Sequence, residues 1–449
     1  MPPRTSKFNV ALVALARSTF DMALAEEMTG RVRIVLQNAG FALTGPSAFV
    51  SEAEEAMAVS QSLSKALPDL LILLQATFAD STLAVHLAKH IDAPLLLWAL
   101  PESLTGGRLR LNSFCGINLA AHALRRKGYD YDYVYAPPED GTAVRQVARL
   151  ARAGSVRRRL RQARIGRVGE HPEGFDSCAF NRETLKSRFG VDVVQLDLGQ
   201  VFQDARRVSP QEVEGHLQQL GLVVDGLGDL DQTALRKTLA SYVALRRMAS
   251  DLRLDGMAIR CWPQFFTEFG CAACGAMSLL SDERIPCSCE ADVNGTLTQL
   301  ILQGLSGEPT FGSDLVHIDK DEDIAVLWHC GLAPLSMADP TVKPRGTIHS
   351  NRKLPLLMEF PLKPGRVTIA RVSEASGDYR LVVGSGEIRR APLSFSGTSG
   401  VLRFDRPVSD VLDTIMKEGL EHHISVTYGD YAPELIALAK MLGLPVVPL

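Results

Sequence analysis

The chain has 449 residues, 46% of them apolar, and a formal net charge of −3. That length exceeds what one hydrophobic core serves, so two or three domains are expected. The near-neutral balance argues against nucleic acid as the main partner, and no stretch approaches the ~20 apolar residues of a membrane span. The early apolar run VALVAL is short and closed off by Arg17, which does not read as a signal peptide, so a soluble, cytoplasmic protein is expected. Eight cysteines, at 115, 178, 261, 271, 274, 287, 289 and 330, are then expected as free thiols.

In chain order, FNVALVA (8–14) reads as a buried strand, and a helical pattern runs from about Asp21 to Gln37. The helical SEAEEAMAVSQSLSKAL leads to a second strand, DLLILLQ (69–75), and helical ADSTLAVHLAKHI leads to a third, APLLLWAL (93–100). Strands alternating with helices predict a parallel sheet with crossovers. The basic run at 152–169 reads as a solvated helix face and a hinge. A second α/β unit starts at RIGRVG, with a helix and a strand over RETLKSRFGVDVVQLDL, a helix over 231–252, the strand GMAIRC (256–261) and a helix starting near Glu290. After Gly307 the texture changes to VLWHC, LLMEF, RVTIARVS, YRLVVGSG and LRFDRP, punctuated by Gly, Pro and Ser, as in an antiparallel barrel or sandwich. A strand (ISVTY) and a helix (PELIALAKML) close the chain. The predicted fold class is α/β: two Rossmann-like parallel-sheet domains, 1–160 and 161–310, then a β-rich, barrel-like domain, 311–449.

The chemistry-bearing residues fall in the last two of these. Cys271, Cys274, Cys287 and Cys289 have the look of a structural zinc site, but their second pair is tight and the intervening GAMSLL reads as buried helix, which favours small buried apolar residues instead. Glu268 follows the strand GMAIRC, and Asp292 follows the short strand IPCSC at the start of a helix. Carboxyl ends of parallel strands line the functional crevice, and a helix N-terminus keeps an acid ionised. Two such acids suit a hard cation, which accepts one imidazole besides oxygen. Glu290 competes with Asp292, and spacing does not separate them. In the pair His422–His423, alternation along a strand puts His423 with Ser425 and Thr427 on a polar face, and His422 with Ile424 and Val426 on the other, so His423 is the candidate ligand. No complete G-x-G-x-x-G, P-loop or G-x-S-x-G occurs.

CWPQFFTEFG…CSCEADVNGTLTQLIL, VLWHCGLAP and GLEHHISVTYGDYAPELIALAKMLGL together resemble the L-fucose isomerase and L-arabinose isomerase superfamily. The resemblance implies a metal-dependent aldose–ketose isomerase, an oligomer with active sites shared between subunits, working with Mn²⁺, or else Mg²⁺ or Co²⁺. Carried over by position, it implies Glu268, Asp292 and His423 as metal ligands, with Glu268 and Asp292 also catalytic as base and acid in either order. His329 (with His317 as its rival), Trp262 and His422 are the implied substrate contacts, and Asn112, Ser113 and Arg17 those donated by a neighbouring subunit. The chemistry is coherent. A cation chelating the carbonyl and adjacent hydroxyl stabilises a cis-enediolate, while a carboxylate takes and returns the proton. A non-catalytic or zinc-stabilised sugar-binding protein, and an epimerase or lyase using the same site, are the alternatives. The expected substrate is a monosaccharide or an acidic sugar derivative, sulfonated or phosphorylated, with neither nucleic acid nor membrane as partner.

Overall fold

The structure is a computed structural model that describes residues 8–449. The chain divides into two compact units, one ending at Arg159 and one spanning Leu160–Leu449. In the first, β1 (Asn9–Leu15), β2 (Ala42–Thr44), β3 (Leu70–Gln75), β4 (Leu95–Ala99) and β5 (Asp132–Tyr135) form a parallel sheet in the order β2-β1-β3-β4-β5. Strands β3 and β4 are buried along their whole length, which is why they read as unbroken apolar runs rather than alternating ones. Asp21 starts the helix Met22–Asn38 by accepting from the Leu24 N–H, and Asp80 caps Ser81–His90 in the same way.

The basic run departs from its expected solvated face. It belongs to the helix Gly141–Leu160, whose Ala151, Ala153, Gly154, Ser155 and Val156 are buried. Arg158 pairs with the buried Asp69 at 2.8 Å and Arg157 with Asp92 at 2.8 Å. Small residues between the arginines let the helix lie against the sheet while the long side chains reach its rim.

The second unit begins with a four-stranded parallel sheet: β6 (Arg164–Val168), β7 (Asp192–Leu196), β8 (Gly256–Ile259) and β9 (Cys287–Ser288), in the order β7-β6-β8-β9. The remaining strands are β10 (Phe311–Asp319), β11 (Ile324–His329), β12 (Arg345–Ile348), β13 (Pro355–Pro361), β14 (Gly365–Ser373), β15 (Arg380–Arg389), β16 (Thr398–Phe404), β17 (His423–Tyr428) and β18 (Val446–Pro448). Antiparallel pairing runs β16-β11-β10-β17-β14-β15, and β15 pairs again with β16, closing a barrel. Closure removes the exposed edges. At the closing seam Gly386 is needed, because a Cβ there would sit 2.4 Å from the Arg403 carbonyl oxygen. The hairpin β12–β13 and the strand β18 extend the sheet outside the closed ring. The helix Val293–Ser306 packs against β8 on one side and β14 and β17 on the other, so sheet and barrel share one hydrophobic core. The fold class is therefore as the alternation predicted, parallel α/β sheets followed by a β-barrel.

Candidate active site

Three chain segments converge where the sheet meets the barrel. At the carboxyl ends of the adjacent strands β8 and β9 stand Trp262 and Glu290, and Asp292 follows as N-cap of Val293–Ser306, its Oδ1 accepting from the Gly295 N–H at 2.8 Å. From the barrel, β10 and β17 pair so that Asp314 lies opposite His423. His329 ends β11 and is buried. Glu290 and Ala291 both adopt left-handed backbone conformations, with φ of 58° and 55°. Such strain at a non-glycine pair persists only where the surroundings enforce it. Here it turns the Glu290 carboxylate toward the histidines.

Asp292 is fully buried. Arg371 donates to its Oδ2 at 2.6 Å and its Oδ1 at 3.2 Å, and His423 Nδ1 lies 2.9 Å from Oδ2. Burial alone would raise its pKa. The Arg371 guanidinium, with the hydrogen bond from His423, outweighs that and holds the carboxyl well below the usual carboxylate range. An ionised carboxylate only accepts, so His423 Nδ1 donates to Asp292 and Nε2 is the ring nitrogen turned toward the other acids. That nitrogen is 3.8 Å from Glu290 Oε2 and 3.6 Å from Asp314 Oδ1. His422 Nε2 approaches Glu290 Oε2 at 3.3 Å, and Trp262 Nε1 donates to Glu290 Oε1 at 2.9 Å. Burial opposes ionisation of Glu290, but His422, Trp262 and His423 together keep its pKa below the ordinary value. The hydrogen bond to Glu290 in turn raises that of His422 against its own burial.

Two overlapping groups have donor atoms within 4.8 Å of one another: Cys178, Glu290, His422 and His423; and Asp314, His329 and His423. Asp314 Oδ1 is buried without a hydrogen-bond partner. Burial, with Asp292 and Glu290 nearby, pushes the Cys178 thiol far up, so it stays protonated and is a poor ligand. Glu290, Asp314, His329, His422 and His423 line a cavity of about 170 Å³ that also takes in Trp262, Trp328, His349 and Arg352.

The structure brings Asp292, His423, His422, His329 and Trp262 together. It does not bring Glu268 to them. Glu268 is exposed on the π-helical turn Phe265–Phe269, whose Phe265 and Phe269 face the core, and lines a different cleft with Arg260, Gln264 and Asp197. His317 is likewise exposed on β10. The four-thiolate site does not assemble: Cys289 Sγ lies 2.8 Å from Cys261 Sγ, Cys274 Sγ lies 3.3 Å from Cys330 Sγ, and Cys287 bonds the Ile285 carbonyl. In the first unit, Arg17 pairs with Asp80 at 2.5 Å, the Ser113 hydroxyl is buried and donates to the Gln75 carbonyl, and Asn112 precedes the helix Ser113–Arg126 with φ of 55°. Sequence reasoning missed Asp314, whose one signal is its register opposite His423, and Cys178, Arg371 and Arg352, which carry none.

Residues 11–161 match the family described as "Fucose/sulfoquinovose isomerase, N-terminal domain", and residues 358–449 match "L-fucose isomerase, C-terminal domain". The chain is 33% identical over 437 residues to the sulfoquinovose isomerase of Priestia aryabhattai, covering 97% of this chain and 98% of that protein. It is 31% identical over 440 residues to the sulfoquinovose isomerase of Alkalicoccus urumqiensis, covering 98% of each. The α/β–barrel fold and these relatives define an enzyme, a sugar aldose–ketose isomerase and so an intramolecular oxidoreductase. The chain belongs to the fucose/sulfoquinovose isomerase family.

Proposed function

We propose that the chain converts sulfoquinovose, an aldohexose with a sulfonate on C6, into its ketose, in a metal-dependent reaction through a cis-enediolate. The relatives of nearly full length support the substrate. The observation that carries the metal dependence is the juxtaposition of His423 Nε2 with the partnerless, buried Asp314 Oδ1 at 3.6 Å. Glu290, Asp314 and His423 would hold the cation, with His329 and His422 beside them. With the thiol protonated, the donors are oxygens and imidazoles, a set that accommodates Mn²⁺, Mg²⁺ or Co²⁺. A cation bound there supplies Lewis-acid stabilisation of negative charge on the sugar oxygens.

The chain's own residues do the rest. Asp292 has its acceptor positions taken by Arg371, His423 and Gly295, so it orients the His423 ring rather than moving protons. Glu290 and Asp314 are the carboxylates facing the cavity; one of them takes the C2 proton and returns it to C1, while the O2 hydroxyl proton passes to O1. Trp262 forms a wall and fixes Glu290. We further propose a cytoplasmic homo-oligomer in which Arg17, Asn112 and Ser113 complete a neighbour's site. No helix among the described residues is long and apolar enough to cross a membrane.

The test is a sugar panel assayed for ketose and for epimer after chelation and after Mn²⁺ is restored. Ketose from sulfoquinovose that disappears with chelation and returns with Mn²⁺ is expected. Undiminished turnover in metal-free protein would sink the metal assignment, and an aldose epimer as product would sink the isomerase reading for this substrate.

A further inference from the structure

The same cavity has a second polar end that the chemistry above does not use. Between β12 and β13 the chain turns through His349–Leu354, closed by the His349 N–H on the Leu354 carbonyl at 2.9 Å and the Lys353 N–H on the His349 carbonyl at 2.7 Å. His349 is buried, and its Nδ1 accepts the backbone N–H groups of Asn351 at 3.2 Å and Arg352 at 3.3 Å. Nδ1 is therefore unprotonated, and the neutral ring carries its proton on Nε2. Burial and the Arg352 charge keep it neutral, with a pKa pushed down to about 4.

Nε2–H then faces the Arg352 guanidinium, with Nη1 only 3.3 Å away. Both groups are donors, so neither satisfies the other. Among the described residues Arg352 pairs with no carboxylate, and its guanidinium lies over aromatic rings, 4.8 Å from the Trp262 centroid and 5.2 Å from that of Phe266. His349 meets Phe266 edge-on at 5.3 Å. Two preorganised donors on an aromatic bed, with no acceptor of their own, await an anionic oxygen. Trp262 links the two ends of the cavity: its ring face carries Arg352 and its Nε1 holds Glu290.

The geometry points to Arg352 and His349 as the subsite for the substrate's C6 sulfonate, so that they set the preference for an acidic sugar while the Glu290–His423 end handles C1 and C2. The assignment rests on the proposed sulfoquinovose isomerase reading. A C6 phosphate offers similar oxygens, so both anions belong in the experiment.

Binding of sulfoquinovose, glucose 6-phosphate and glucose to the full chain is measured by calorimetry, beside ketose formation. Wild-type protein binds sulfoquinovose at least about 10-fold tighter than glucose, and Arg352→Gln weakens sulfoquinovose by about 10–100-fold, the range for one charged hydrogen bond, with a smaller effect on glucose. Arg352→Lys, which keeps the charge and loses the fork, falls between. A thermal midpoint for Arg352→Gln matching wild type excludes misfolding. Equal weakening of both sugars by Arg352→Gln, or equal affinities in the wild type, overturns the subsite. Tighter binding of the 6-phosphate than of the sulfonate overturns its assignment to sulfonate. The readings separate: Arg352-dependent binding without ketose leaves the subsite standing and refutes the activity, whereas turnover indifferent to Arg352 does the reverse.

Discussion

Glu290 combines a place in the candidate site with an unfavourable backbone. A left-handed conformation costs a non-glycine residue about 1–2 kcal/mol, and glycine avoids that cost. Glu290→Gly is therefore expected to abolish metal retention and turnover while leaving stability unchanged or higher by about 1 kcal/mol, read from a denaturant midpoint. A clear loss of stability would mean that the carboxylate serves the fold instead. Asp292 is the opposite case. Its removal strands Arg371, which is 1% exposed and, among the described residues, has only Glu421, at 3.8 Å, as another acid. Asp292→Ala should cost about 3–5 kcal/mol, the usual penalty for breaking a buried ion pair, and lose metal as well. Equilibrium unfolding checks this, and near-wild-type stability would refute it. The sequence marked Asp292 as a helix-start acid, which it is, but could not say that its oxygens were already taken by Arg371, 79 residues away.

Elements were easier to read than their contacts. Long apolar runs and a 3.6-residue period placed β1, β3, β4 and the helix Gln232–Leu252 to within a residue or two. The histidine pair shows where that reasoning stops. Alternation applies within a strand, and β17 begins at His423, so His422 lies just outside it. The two rings sit 4.0 Å apart, both directed at Glu290, and His422 packs on Phe175 rather than beside Ile424 and Val426. In the basic helix Gly141–Leu160 the arginines were conspicuous and Gly154 was not, yet a Cβ at Gly154 would lie 1.8 Å from the Asp69 carbonyl oxygen. Gly154→Ala must push helix from strand and should destabilise the first unit by about 1–3 kcal/mol despite alanine's better helix propensity. A melting curve showing stabilisation would mean the helix is free to move.

Two buried groups should contribute to how global stability responds to acid. His349 titrates near 4 in the folded protein and near 6.5 when unfolded, so between those values the unfolded chain binds more protons. Stability is fully present above about pH 6.5 and falls as pH drops toward 4. Asp292, depressed in the fold, adds stability above the ordinary carboxylate pKa that is lost at still lower pH. Denaturant titrations at pH 7 and pH 5 should therefore differ less in His349→Gln than in wild type, and an unchanged slope would refute a neutral buried imidazole. Assembly is a separate expectation. Light scattering should find an oligomer at assay concentration, and Arg17→Ala should lower turnover with metal content intact. An active monomer would count against sites shared between subunits.

The sequence by itself determined the layers, because hydrophobic period is a local property that each segment carries alone. It also determined the chemical inventory, and through its motifs the isomerase class. Only the tertiary structure decided which acids come together at the candidate metal site. Glu268 and Glu290 are both acids beyond strand ends, and the choice between them depends on a turn whose two phenylalanines point inward and on two left-handed residues that rotate one carboxylate toward the barrel. Asp314 enters only through the register of β10 on β17, and register between strands more than a hundred residues apart is fixed by packing, not by neighbours in sequence.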